Sequence, residues 1–554
     1  MSIDKVKHQE VEPLMAWRRL KGNTNKSSQV FHRPGGVGDG SMLRRECVGG
    51  QEISHCGGKP PTMDTSSQKN KIQTAVREVG SSRSSSEAPV MGVEQRRGRS
   101  ANMPEVARER FDGSRDLPTE GSTEKMTRVR KLQRTLYRQA KSKPKWRAWS
   151  LYGDLCSRDI LEEALWKVIA NGGGPGVDGL RVEILKDDES FREQWLTKLQ
   201  SDLKDKSYKP SPIKRVCIPK GNGKMRPLGI PTVRDRVAQQ GVKLLLEPIF
   251  EADFHENSYA YRPKKNAHQA IDKTVEALKS GRIEVIDADL SGYFDTIPHA
   301  QLIRLIKRRV SDGSILKLIK EWLRAEIVEE DRENGKKRMI KNRRGTPQGG
   351  VISPLLANIY LDDLDKAVNT GKKMKAVMVR FADDCLVLCP KGKGKQVYEQ
   401  LRKWLERREL ILNEEKTRIV NMLYENIEFL GFRMVRRKSP KGKNYYHTEP
   451  SPKACAKMRE AIREETRRNA LNKDAKAVFG KVNQRLRGWA EYYHYGNSTR
   501  VFSKMQNHVN EQMRRWLWKK HNKKHGRYSH YQDERLCNHY GIIKLPLYEA
   551  WKYS

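Results

Sequence analysis

Apolar residues recur at helical spacing over 158–170, where Ile160, Leu161, Ala164, Leu165 and Val168 share one face. That spacing predicts an amphipathic helix. It stops at Asn171-Gly172-Gly173-Gly174-Pro175-Gly176, a strong breaker. The Gly cluster lacks the Lys-Ser/Thr of a phosphate-binding loop and no apolar strand precedes it, so it reads as a plain loop. A basic helix is predicted over 127–138. The period changes over 282–290, a run rich in β-branched and apolar residues that reads as a strand. Short strands are also predicted at 376–380 and 385–389. The polar pair Asp383-Asp384 between them predicts a hairpin. Ser353-Pro354 and Ser451-Pro452 read as helix starts, a hydroxyl to cap followed by Pro in the first turn. Beyond about residue 450 only helical periods remain: Val478, Val482, Leu486, Trp489 and Tyr493 in one segment, and Val501, Met505, Val509, Met513 and Leu517 in the next. The pattern is α+β first and all-α second, with no internal repeat.

Composition changes this picture at two points. Residues 1–122 are rich in Gly, Ser, Arg and polar side chains, as in Ser81-Ser82-Arg83-Ser84-Ser85-Ser86, and carry no sustained apolar period. They are expected to form a poorly ordered basic tail. The charge balance is lopsided, with 110 Lys and Arg against 68 Asp and Glu, a net +42. Such an excess points to a polyanion: nucleic acid first, an anionic membrane second. No run approaches ~20 consecutive apolar residues, so no membrane span is expected, and no secretory signal is expected either. Eight Cys occur without a CxxC pair, which argues against a zinc site or a disulfide framework and reads as reduced thiols in a cytoplasmic protein.

The candidate chemistry lies at strand ends. Asp289 closes the 282–290 strand, and Asp383-Asp384 sit at the hairpin tip. A lone Asp at a strand end is usually a solvated turn. Three carboxylates on strands that can pair in one sheet repel one another unless cations sit among them. Hard oxygen ligands suit Mg²⁺, which keeps its waters and binds substrate phosphates. Two such ions can activate a 3′-hydroxyl and neutralise a pyrophosphate leaving group, the chemistry of nucleotidyl transfer.

Val379-Arg380-Phe381-Ala382-Asp383-Asp384 resembles the YADD motif of reverse transcriptases, with Phe381 in place of Tyr. Asp287-Ala288-Asp289-Leu290-Ser291-Gly292-Tyr293-Phe294-Asp295 resembles the block carrying that family's first catalytic Asp, and 345–360 is similar to its PQG…SPLLANIYL block. Ile218-Pro219-Lys220 and Arg226-Pro227-Leu228-Gly229-Ile230-Pro231 resemble its fingers block. Ser258-Tyr259-Ala260-Tyr261-Arg262-Pro263, Leu412-Asn413-Glu414-Glu415-Lys416-Thr417 and Phe429-Leu430-Gly431-Phe432 resemble blocks around the palm, in the same order. Gly176-Val177-Asp178-Gly179 and Arg487-Gly488-Trp489-Ala490-Glu491-Tyr492-Tyr493 narrow the resemblance to the reverse transcriptase-maturases of group II introns. It covers about residues 125–530.

The resemblance implies a right-hand polymerase, with fingers and palm over 123–435, followed by an all-α thumb/maturase (X) domain over 450–530. A short segment, 531–554, with no Cys pair leaves the family's HNH endonuclease unexpected. It also implies roles. Asp289, Asp383 and Asp384 are the expected catalytic acids, holding two Mg²⁺ ions (or Mn²⁺) with the Leu290 carbonyl. Lys220, Arg226 and Gln348 are expected to hold the dNTP, and Phe294 to lie under its sugar and reject a 2′-hydroxyl. The 429–432 turn is expected to grip the primer. Expected partners are the group II intron RNA, an RNA template, a DNA primer or target DNA, and dNTPs, in a bacterial cytoplasm or an organelle. The oligomeric state is left open. Arg514, Arg515, Lys519 and Lys520, with interleaved Trp and Tyr, are the expected RNA contacts. The expected function is RNA-directed DNA synthesis together with assistance to splicing and retrohoming. The alternative is an RNA-binding splicing cofactor without significant synthesis.

Overall fold

The computed structural model describes residues 127–220, 224–330, 335–371 and 374–545. The basic tail expected over 1–122 lies outside the described residues, as does the end of the 531–554 segment.

Eleven strands form three sheets among the described residues: β1 (Ile213–Lys220), β2 (Lys224–Ile230), β3 (Glu284–Ala288), β4 (Ile327–Glu330), β5 (Lys337–Ile340), β6 (Val377–Phe381), β7 (Asp384–Cys389), β8 (Arg418–Asn421), β9 (Asn426–Phe429), β10 (Phe432–Lys438) and β11 (Asn444–Pro450). The central sheet runs β6-β7-β3-β8 and is antiparallel throughout. Both of its faces are covered. Ile286, Ala288, Met378, Cys385 and Val387 face one core, with the helix Ser353–Asn369 packed against β6. Val285, Val379, Phe381, Leu386 and Leu388 face a second core with the helix Ala267–Lys279. Burial on both faces is why these strands read as continuous apolar runs rather than as alternation.

The expected 376–389 hairpin forms. Phe381 pairs with Asp384, which leaves Ala382 and Asp383 as its two-residue turn. The 158–170 helix is found at Arg158–Asn171, and the two helices of the last region at Ala475–Tyr493 and Thr499–Lys520. Ser451 caps Pro452–Glu465 through Ala454 N–H, as its sequence predicts. Ser353 does not cap: it lies within its helix, and its hydroxyl donates to the Pro347 carbonyl at 2.9 Å. The Gly172–Gly174 loop is structural, since the guanidinium of Arg236 donates to the carbonyls of Gly172 and Gly174.

A second sheet, β2-β1-β4-β5, carries the Arg226–Ile230 segment, with β1 and β4 parallel. A third, β11-β10-β9, runs from the end of the expected palm to the start of the expected helical domain. The helices after Pro452 enclose their own core around Val482, Leu486, Met505, Val509 and Trp516. Among the described residues no helix is long and apolar enough to cross a membrane.

Candidate active site

Antiparallel register brings the acids together. Ala288 pairs with Cys385 and Phe381 with Asp384, so one step further Asp289 leaves β3 beside the Asp383-Asp384 turn at the same open end of the sheet. The backbone of Asp289 is pinned on its other side, because its carbonyl accepts Asn413 N–H at 2.8 Å and Ser291 N–H donates to Ile411 at 2.9 Å. Leu290 faces Leu412 between those two bonds. A residue at such a non-hydrogen-bonded position directs its own carbonyl away from that neighbour.

The turn itself is strained and anchored. Ala382 has φ +62°, a left-handed conformation that costs a non-Gly residue about 1 kcal/mol. Arg380, 1% exposed, lies beneath it. Its guanidinium donates to the Ala382 carbonyl at 3.0 Å, to Asp365 at 2.8 Å, to Asn358 at 2.8 Å and to Ser258 at 2.7 Å. Asp365 and Asn358 come from the helix opened by Ser353-Pro354, so the PQG…SPLLAN block supports the FADD turn from inside the protein. Burial alone disfavours the guanidinium charge, but Asp365 outweighs it and raises the Arg380 pKa.

A cation already stands at the acids. Lys416 donates to Asp289 at 2.9 Å, and that hydrogen bond holds the ammonium above its ordinary pKa, with Asp384 adding to the effect. Among the described residues no three His, Cys, Asp or Glu side chains are close enough to hold a metal ion. The donor chemistry nevertheless fits one. The carboxylates are hard oxygen ligands at one sheet end, and Asp289 is engaged with a positive group in the position a metal would compete for.

The expected nucleotide residues meet across three segments. Arg226 Nε on β2 donates to Gln348 at 3.0 Å, and Gln348 Nε2 donates to Asp295 at 3.1 Å. Burial pushes the Asp295 carboxyl up, opposed by Gln348 and by the charge of Arg215 and Arg226. Phe294 precedes Asp295, is partly buried, and holds Thr346 N–H through its carbonyl at 2.6 Å. Gly349 makes the junction possible. Its φ is +107°, and a Cβ there would stand 2.2 Å from the Gly229 carbonyl oxygen. The side chain of Lys220 lies outside the described residues. Tyr261 completes the group. Burial pushes its hydroxyl pKa up, as do the charges of Asp383 and Asp384, while Arg226 lowers it. The motif blocks contain Asp295, Tyr261 and Lys416, but sequence reasoning gave none of them a role.

The 429–432 turn is held by the helical region. Leu430 and Gly431 both have positive φ, the type I′ geometry that suits a two-residue hairpin. Tyr492 donates to the Leu430 carbonyl at 3.0 Å, and a Cβ on Gly431 would strike the Tyr493 hydroxyl at 2.2 Å. Tyr492 and Tyr493 also pack on Phe432, with ring centroids 5.5 and 5.1 Å away. The aromatics of the Arg487–Tyr493 block therefore serve packing here.

The four expected RNA contacts divide. Arg514 is 5% exposed, donates to the Tyr531 carbonyl at 2.8 Å, pairs with Glu511 and Asp533, and stacks on Tyr528. Lys520 donates to the carbonyls of Leu471 and Lys473. Arg514 is thus committed to the protein interior, and Lys520, half-buried, is held by backbone carbonyls. Arg515 and Lys519 are exposed, Arg515 sharing Glu511 at 2.9 Å.

An antiparallel sheet with acids at one end and helices on both faces, followed by helices with their own core, fits the right-hand polymerases. Residues 218–434 match the family described as "Reverse transcriptase (RNA-dependent DNA polymerase)", and residues 455–534 match "Group II intron, maturase-specific domain". Protein YkfC of Escherichia coli (strain K12) is 34% identical over 368 residues, which cover 59% of this chain and 93% of that protein. The group II intron-encoded protein LtrA of Lactococcus lactis subsp. cremoris is 38% identical over 219 residues, 39% of this chain but 35% of LtrA. A 91 kDa protein in the cob intron of Schizosaccharomyces pombe is 33% identical over 226 residues, 40% of this chain and 26% of that protein. The chain spans about a third of LtrA. It belongs to the reverse transcriptase-maturases of the group II intron type, an RNA-directed DNA polymerase family.

Proposed function

We propose that this protein copies RNA into DNA by two-metal-ion nucleotidyl transfer, and that its helical domain binds a group II intron RNA and assists splicing and retrohoming. The observation that carries the first half is the register placing Asp289 beside Asp383-Asp384. Asp289 and Asp383 would hold Mg²⁺, with Asp384 beside them and the Leu290 carbonyl as a further ligand. Bound there, the ions lower the pKa of the attacking 3′-hydroxyl and stabilise charge on the phosphates. Arg380 holds the acidic turn in place, and Lys416 balances the charge of Asp289 until a metal competes for it. Arg226 presents its fork to the triphosphate of a dNTP, a shape suited to paired phosphate oxygens, with Lys220 as its expected companion. Gln348 and Asp295 orient that guanidinium, and Phe294 flanks the sugar. In the helical domain Arg515 and Lys519 are exposed and suited to RNA phosphates, whereas Arg514 and Lys520 serve the fold.

Primer extension on an RNA template tests the polymerase half. Asp383→Ala should lose at least about 10³-fold in rate, the equivalent of several kcal/mol of charge stabilisation, while its melting temperature and RNA affinity stay those of the parent. Near-parental extension would overturn the assignment and leave an RNA-binding splicing cofactor.

A further inference from the structure

Tyr261 stands in a conformation that its side chain does not favour. Its φ is +57°, in the left-handed region that Gly or Asn adopts readily and a bulky aromatic does not. The residues on either side leave it no alternative. Tyr259 N–H donates to the Arg380 carbonyl at 2.9 Å, and Arg380 N–H donates to the Asn257 carbonyl at 3.0 Å. Asn358 Nδ2 donates to the Ala260 carbonyl at 2.9 Å. The buried guanidinium of Arg262 pairs with Glu251 and donates to the carbonyls of His255 and Ser258, both at 2.6 Å. Residues 257–260 and Arg262 are all buried, while Tyr261 between them turns outward, 49% exposed.

The same hydrogen bonds fix where it goes. Ser258 forms a parallel bridge with Arg380, on the edge of β6 that β7 leaves open. Two parallel segments advance together, so three residues beyond that bridge Tyr261 lies beside Asp383. The charges that act on its hydroxyl agree, since they are those of Asp383, Arg226 and Asp384. Across the sheet end the order is therefore Tyr261, Asp383, Asp384 and Asp289, with Phe294 following on from β3. Among the described residues, no group exchanges a hydrogen bond with the Tyr261 hydroxyl. Strained backbone of this kind persists where its surroundings hold it, and it gathers at ligand-binding positions.

We infer that Tyr261 contacts the last base pair of the primer–template duplex and makes extension depend on that pair being correct. This role rests on the polymerase reading above, in which the attacking 3′-hydroxyl meets the metals at Asp289 and Asp383. Phe294 takes the nucleotide's sugar on the β3 side, which leaves the β6 side, where Tyr261 projects, to the end of the primer. The chemistry of a tyrosine suits that position. Its ring packs against the terminal sugar, and its hydroxyl reaches the minor groove of the terminal pair. Purine N3 and pyrimidine O2 are acceptors there in either orientation of a pair, so one donor serves every sequence. A mismatch displaces that acceptor and loses the bond.

The test uses the full chain with two changes: Tyr261→Phe keeps the ring, and Tyr261→Asn keeps the left-handed backbone without the ring. Primer extension compares an RNA template–DNA primer hybrid ending in a matched pair with one ending in a mismatch. Tyr261→Phe should lower the matched-to-mismatched ratio severalfold, the effect of one neutral hydrogen bond, with the melting temperature and KM for dNTPs unchanged. Tyr261→Asn should also slow extension of the matched primer by about tenfold or more, because the 3′-hydroxyl is less well placed. A residue that only supported the fold would shift the melting temperature and leave the ratio alone. A second arm needs no synthesis. The hybrid carries 2-aminopurine at the primer 3′ end, and its fluorescence is read on binding without nucleotide. The change seen with the parent should shrink with Tyr261→Asn. An unchanged mismatch ratio and unchanged fluorescence, or an effect confined to KM for dNTPs, would overturn the inference. If the polymerase reading itself failed, the parent would extend neither primer, and the fluorescence would still decide whether Tyr261 touches the duplex end.

Discussion

The central sheet and the helical domain obey different rules about where charge goes. At the sheet end, backbone register decides: once Ala288 pairs with Cys385 and Phe381 with Asp384, the acids have no other place to be. In the helical domain nothing fixes a cation's destination in advance. Arg514 and Arg515 are adjacent in sequence, yet one is buried among Tyr531, Glu511 and Asp533 while the other is exposed. A site made by register can be read from motif spacing, whereas a surface made by long flexible side chains cannot.

The buried pair beneath the acidic turn offers the hardest way to break this contrast. Arg380 and Asp365 are each 1% exposed and hydrogen-bonded to one another. Removing one partner leaves the other charged and buried, at a cost of about 3–5 kcal/mol. Asp365→Ala should therefore lower stability by that amount in chemical denaturation, the largest effect expected here. Parental stability would mean that the turn is not anchored from below.

The next effect is smaller and falls on the substrate. Gln348→Ala removes the group that joins Arg226 to Asp295. A hydrogen bond to a charged group is worth about 1.5–3 kcal/mol, so KM for dNTPs should rise by an order of magnitude or more, with little change in melting temperature. Phe294→Ala should in the same assay raise incorporation of ribonucleotides relative to deoxynucleotides. An unchanged ratio would make Phe294 a packing residue for Tyr293, 5.5 Å away.

The smallest effects sharpen the other side. Arg515→Gln/Lys519→Gln should weaken RNA binding severalfold and flatten its salt dependence, leaving the melting temperature unchanged. Arg514→Gln should do the reverse, since it removes a buried guanidinium that holds the Tyr531 carbonyl and pairs with Asp533. If Arg514→Gln reduced RNA affinity at full stability, the division drawn between these two arginines would be wrong.

Much of the fold was legible for physical reasons. The two-face burial of β3, β6 and β7 leaves uninterrupted apolar runs in the sequence, and the period of four in 501–517 survives because a single core lies along one side of that helix. The β4 and β5 strands left no such trace. β5 has an exposed or half-exposed residue at every position, so no apolar pattern marks it. Within the site, the acids, Arg226, Gln348 and Phe294 were readable through motif resemblance. Lys416 was not given a role, because its contact with Asp289 spans 127 residues and a Lys in a loop carries no local signal. Ser353 misled for a different reason: a hydroxyl before Pro matches a capping pattern, but here Ile352 holds the N-cap position and Ser353 lies one residue inside the helix, its hydroxyl donating to the Pro347 carbonyl.

The central claim is that synthesis resides at the sheet end and RNA binding in the helical domain, so that each can be lost alone. Group II splicing is catalysed by the RNA, so the protein need only stabilise the folded intron. The direct measurement is the double change Asp383→Ala/Asp384→Ala, assayed in parallel for primer extension and for splicing of the cognate intron at near-physiological Mg²⁺. The account predicts that DNA synthesis disappears while splicing and RNA affinity stay within about twofold of the parent, a difference of less than ~0.5 kcal/mol. A variant that still binds the intron as tightly but no longer promotes splicing would contradict it.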